Sequence, residues 1–137
     1  MQEIKTELSD INLSNPYYML KFSIRSEATR KYYERRIKRF FDIEFSSDKG
    51  IEERFNMFPV YARKDINWAL NKIIAFLQFQ KERTEKGEIT AATLSNFVKP
   101  LKLYCEISDV NIPWKKIGRG LPRGREAANE SRRFPKN

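Results

Sequence analysis

The sequence predicts an all-α fold, and three observations carry that expectation. Apolar residues recur at three- and four-residue spacing in several separate stretches. Ser26 and Thr90 stand at the start of two of these stretches, where a helix N-cap belongs. No segment alternates apolar and polar residues with the two-residue period of a strand. With 137 residues, 40% of them hydrophobic and 13% aromatic, the chain has material for one modest core. The expected architecture is a small orthogonal bundle of four to five helices.

Residues 1–25 read as weakly structured, with Asn15-Pro16 breaking any helix and Tyr17, Tyr18, Leu20 and Phe22 available to dock on the core. Residues 1–16 are assigned to a flexible N-terminal segment. The first clear helix opens at Ser26, with Glu27 beside its dipole and Thr29, Tyr33, Ile37, Phe40 and Phe41 along one face. Lys31, Arg35, Lys38 and Arg39 fall on the opposite face. "SSDKG" at 46–50 is a turn, and 51–58 forms a short helix or turn stopped by Pro59. A longer helix starts at Asp65 and ends near Lys86 before Gly87. Ile66, Leu70, Ile73, Ile74 and Leu77 share one of its faces, and Trp68, Ala75 and Phe79 another, so it is expected to pack on two sides as the central helix. The last helix begins at Thr90, buries Leu94, Phe97, Val98, Leu101 and Cys105, is kinked at Pro100 and ends by Asp109. The helical domain is thus expected to span 17–112, followed by a basic linker or tail at 113–137.

Charge is unevenly placed. The net charge is +9 from 27 bases and 18 acids. Residues 115–137 hold eight of those bases and two of the acids. This asymmetry points to a polyanionic partner, and the first helix's basic face is suited to phosphates. The start of the last helix offers Thr90, Thr93 and Asn96, followed by Lys99 and Lys102, a polar set able to meet base edges or phosphates. The same features also suit a solvated helix face with an ordinary cap.

Several activities lose their residues. Histidine is absent, which removes His-based triads, imidazole acid–base catalysis and His-dependent zinc hydrolase motifs. One cysteine, Cys105, allows no internal disulfide. No glycine-rich phosphate loop is present, and the acids make no catalytic pair. No cofactor, metal or small-molecule substrate is expected, and no membrane association. The polar, acid-bearing start MQEIKTELSD does not resemble a secretory signal, and the expected location is cytoplasmic.

"SEATRKYYERRIKRFFDI" is similar to the Ser-x-x-Thr-x-x-x-Tyr-x-x-x-aliphatic-x-x-Phe pattern that opens the core-binding domain of tyrosine recombinases, a SAM-like helical bundle. Ser26, Thr29, Tyr33, Ile37 and Phe40 fill those positions in register. "ATLSNFVKPLKLYCEI" resembles that domain's fourth helix, with Lys102 and Tyr104 as its basic and aromatic pair. "DINWALNKIIAFLQFQKE" and "IPWKKIGRGLPRGRE" resemble archaeal integrases of the same family. The resemblance covers about residues 17–127. It implies an N-terminal module that lies on double-stranded DNA through its first and last long helices, with a basic, extended interdomain linker. The DNA-facing residues it implies are Thr29, Arg30, Lys31, Arg35, Lys38 and Arg39, then Thr93, Asn96, Lys99 and Lys102, then Lys115, Lys116, Arg119, Arg123 and Arg125. The family's chemistry needs a His-x-x-Arg box and a nucleophilic Tyr on a further catalytic domain. A chain without histidine is therefore expected to bind and not to cut. Two other expectations remain open: an interaction fragment that pairs with full-length recombinase through Tyr17–Phe22, and a module for structured RNA.

Overall fold

The computed structural model describes residues 15–122 and shows six helices packed around one core, with no strand among the described residues. These are α1 (Pro16–Ser23), α2 (Glu27–Glu44), α3 (Ile51–Lys64), α4 (Ile66–Glu85), α5 (Ala91–Ile107) and α6 (Trp114–Arg119). The all-α bundle that the sequence predicts is the fold observed.

The caps explain most boundaries. Ser26 Oγ accepts from the Thr29 N–H at 3.2 Å, and Thr90 Oγ1 accepts from the Thr93 N–H at 3.1 Å. Each hydroxyl satisfies an amide left over at a helix start. Asp65 has two tasks. Its N–H donates to Tyr61 O and ends α3, while its Oδ1 accepts from the Trp68 N–H and opens α4. Two helices thus meet at one extended residue. Gly87, at φ +78°, supplies the left-handed conformation that closes α4.

Three local expectations are corrected. Asn15-Pro16 begins a helix where it was expected to break one. Asn15 Oδ1 caps the Tyr18 N–H at 3.0 Å, and Pro16 sits at the first helical position, where a missing N–H costs nothing. Pro59 does not stop α3, which continues to Lys64. The start of the basic stretch is helical over Trp114–Arg119 and not extended, because Ile117 turns back onto the core.

The core is aromatic. Phe40 meets Phe58 and Phe76 edge-on at 5.4 and 5.3 Å, and Phe41 meets Phe55 at 5.2 Å and 88°. Perpendicular rings place a positive edge on a negative face, which adds to the area term. α4 packs against α2, α3 and α5, so it is central as expected. Its buried residues differ from the expected set, being Ala69, Ile73, Phe76, Leu77 and Gln80. Ile66, Ile74 and Phe79 remain exposed, as does Ala75. Two polar ties lock the bundle. Arg63 Nη1 donates to Ser108 O at 2.6 Å, joining α3 to the end of α5. Arg54, almost fully buried, donates to Asp42 Oδ1 at 2.8 Å, joining α3 to α2. No described helix is long and apolar enough to cross a membrane.

Candidate nucleic-acid interface

α2 and α5 pack directly on each other. The Arg36 guanidinium lies over the Phe97 ring at 4.5 Å, and Phe41 meets Tyr104 at 5.9 Å. Both pairings advance together along the two chains, so the helices run in the same sense. Their N-terminal turns, with Thr29 on α2 and Thr93 on α5, therefore lie toward the same end of the pair. Helix dipoles that share an end reinforce one another toward anions.

Individual bases differ sharply in their surroundings. Arg30 is turned inward, and its Nη1 donates to the carbonyls of Ile24 and Arg25 at 2.7 and 3.3 Å. It straps the α1–α2 junction. Lys31 pairs with Glu27 at 3.4 Å, both side chains being largely exposed. Lys38 pairs with Asp42 at 2.9 Å. Hydrogen bonds from Lys38 and then Arg54 hold the Asp42 carboxyl below its usual range. Arg35 and Arg39 are exposed, four residues apart on one face, and have no ion pair among the described residues. The same holds for Lys99 and Lys102 on α5.

The polar residues lie on the same two helices. Thr29, Thr93 and Asn96 are half-buried. Thr93 lies one turn before Phe97 on the same face, so it flanks the seam that Arg36 closes. Its hydroxyl also lies 3.0 Å from that of Thr90. Pro100 withholds the N–H that the Asn96 carbonyl would accept within α5.

Lys115, Lys116 and Arg119 are exposed on α6. Lys116 and Ile117 line a groove against Leu70, Ile74 and Leu77 of α4. α4 reaches α2 through Phe76, roughly 140° around its axis from that groove by helical geometry. Lys116 is thus not brought to the α2–α5 pair. Arg123 and Arg125 lie outside the described residues.

Arg36 was missed by the sequence reading. It stands one residue from Ile37 on the flank of the buried stripe, where a base is read as neither core nor surface. Its signal was the aromatic four residues earlier: Tyr32 holds Arg36 at 4.8 Å and Arg35 at 5.8 Å. No group of three His, Cys, Asp or Glu side chains able to hold a metal occurs among the described residues. Cys105 is buried, and burial pushes its thiol up to about 12. Comparison with known protein families, curated proteins and solved structures finds no match to this chain.

Proposed function

We propose that this helical bundle is a double-stranded-DNA-binding module of the kind its sequence resembles, the core-binding half of a tyrosine recombinase, and that it carries no strand-cutting chemistry itself. The observation that supports this most is the α2–α5 pair. It carries four exposed bases without ion pairs, Arg35 and Arg39 on α2 and Lys99 and Lys102 on α5, and its two helices also carry the half-buried Thr29, Thr93 and Asn96. Cations not committed to neighbouring acids release counterions from phosphates at the lowest cost. Lys31 and Lys38 would first have to leave Glu27 and Asp42.

The test is a fluorescence-anisotropy titration of a labelled duplex at several salt concentrations. Four phosphate contacts give a log–log slope of about −4. A flat salt response, or no binding at low salt, defeats the proposal. Competition with duplex RNA separates the RNA alternative. A second reading has its own observation: Phe22 is 73% exposed and Tyr18 49%, with their rings stacked at 6.3 Å. A protein contact there would show as co-elution with full-length recombinase in the absence of DNA.

A further inference from the structure

The corner where α2, α3 and α4 meet holds a second feature that the duplex reading does not use. Phe45, Tyr61 and Trp68 form a triangle of rings 5.7, 5.9 and 6.0 Å apart, each pair inclined by 64–78°. They wall a cavity of about 490 Å³ together with Ser47, Lys64 and Asp65. That volume lies in the range of small-ligand sites. Tyr61 is 44% exposed and Trp68 half-buried, so ring surface faces the opening.

The polar groups around these rings are both donors and acceptors. Asp65 Oδ1 is occupied by the Trp68 N–H, while Oδ2 has no hydrogen-bond partner among the described residues. Ser47 Oγ accepts from the Lys49 N–H, which leaves its own proton to donate. Lys64 supplies an ammonium with no ion pair among the described residues. Lys64 and Asp65 balance in charge, so neither a simple cation nor a simple anion is favoured. The complement is a flat, neutral ring whose edge carries donors beside an acceptor. Guanine has that edge, an N1–H and an exocyclic amino group next to a carbonyl oxygen.

We propose that this aromatic corner is a nucleobase pocket that takes an unpaired guanine. The base stacks on the exposed Tyr61 ring with Trp68 at its edge, its amino edge donates to Asp65 Oδ2, and its carbonyl accepts from Lys64. The base arrives either on a free nucleotide or from an unpaired position in a nucleic acid. This goes beyond duplex binding and does not depend on it, because the pocket is walled by residues outside the α2–α5 bases.

The experiment uses the full chain carrying Trp114→Phe, so that Trp68 alone reports. GMP is expected to quench Trp68 fluorescence to saturation, and UMP, which lacks the amino group, to bind about tenfold more weakly. Tyr61→Ala removes the saturable quenching. Asp65→Asn keeps the helix cap, because Asn caps as well as Asp, yet weakens GMP binding about tenfold by losing the charged acceptor. Circular dichroism confirms that both variants fold. Quenching that is linear in concentration and equal for GMP and UMP, or unchanged in Tyr61→Ala, overturns the pocket.

A second arm compares a fully paired duplex with one of equal length carrying a single unpaired guanosine. A preference of about tenfold for the latter, lost in Tyr61→Ala, assigns the base to nucleic acid. Saturable GMP quenching without that preference assigns it to a free nucleotide. Loss of all duplex binding with GMP quenching intact defeats the DNA-module reading and leaves the pocket standing.

Discussion

The hydroxyl of Tyr104 replaces a hydrogen bond that proline removes from α3, and this substitution can be tested quantitatively. In an uninterrupted helix the Phe55 carbonyl accepts from the N–H of residue 59. Residue 59 is proline and has none. Phe55, Pro59 and Tyr104 are all buried, so water does not fill the gap. Tyr104 Oη donates to Phe55 O instead, across 49 positions of sequence. Tyr104→Phe removes that donor without changing ring packing and leaves a buried carbonyl unsatisfied. The cost is about 2 kcal/mol, which lowers Tm by roughly 8 °C for a chain of this size. In a Pro59→Ala background the backbone N–H returns, and Tyr104→Phe should then cost under about 0.7 kcal/mol. A double-mutant cycle in urea, followed by ellipticity at 222 nm, should give a coupling energy above about 1 kcal/mol. Equal costs in the two backgrounds would refute the replacement.

The remaining expectations concern charge. Arg35→Ala and Arg39→Ala should each weaken duplex binding and shrink the salt slope by about 1, whereas Lys116→Ala on α6 should leave both nearly unchanged. Asp42→Asn strands the buried Arg54 guanidinium and should cost about 1–2 kcal/mol in chemical denaturation, the exposed side of Asp42 moderating the loss. Because hydrogen bonds from Lys38 and Arg54 lower the folded Asp42 pKa, its contribution is present above the unfolded value of 3.8 and disappears as pH falls below it. The Cys105 thiol moves the other way, from 9.0 to about 12 on burial, so the unfolded chain loses its proton first. Stability should fall from pH 9 toward 12, approaching about 1.4 kcal/mol per unit for this one group. Cys105→Ala should remove that share of the slope, and a thiol reagent should label the native chain only on unfolding.

The long helices were legible because their local signals agree. At α2, α4 and α5 the start signal and the apolar period point to the same boundaries; Ser26 and Thr90 occupy the cap positions read from sequence, and Asp65, read as the first helical residue, is the cap one position earlier. The misreadings share a cause. Local pattern reads proline as a terminator at both Pro16 and Pro59, but its effect depends on which carbonyl loses a partner. At Pro16 no carbonyl does. At Pro59 one does, and Tyr104 supplies the replacement from a helix that local pattern cannot connect to α3. α6 was hidden for a related reason. Glycine and positive charge in "WKKIGRG" argue for an open strap, and only the docking of Ile117 and Trp114 against the core makes one short helix worth forming.

Charge was the least legible property, because a sequence counts bases without showing what each one touches. Ten described side chains read from sequence as cationic contacts on α2, α5 or α6 divide into three physical kinds. Arg30 is consumed by backbone carbonyls, Lys31 and Lys38 are shared with acids one turn away, and the others face solvent unpaired. Only the last kind binds phosphate without first breaking an ion pair or a hydrogen bond. Of that kind, those on α2 and α5 share a packed helix pair, and those on α6 do not. Arg36 shows the converse. Sequence places it too near the buried stripe to be chosen, yet its guanidinium bridges Tyr32 and Phe97 and so fixes how α2 and α5 sit together. If the α2–α5 pair lies on a duplex, the residue that sets its geometry is one that composition would never nominate. Arg36→Lys should therefore weaken binding more than the loss of Lys31, since an ammonium keeps the charge but cannot stack flat between two rings.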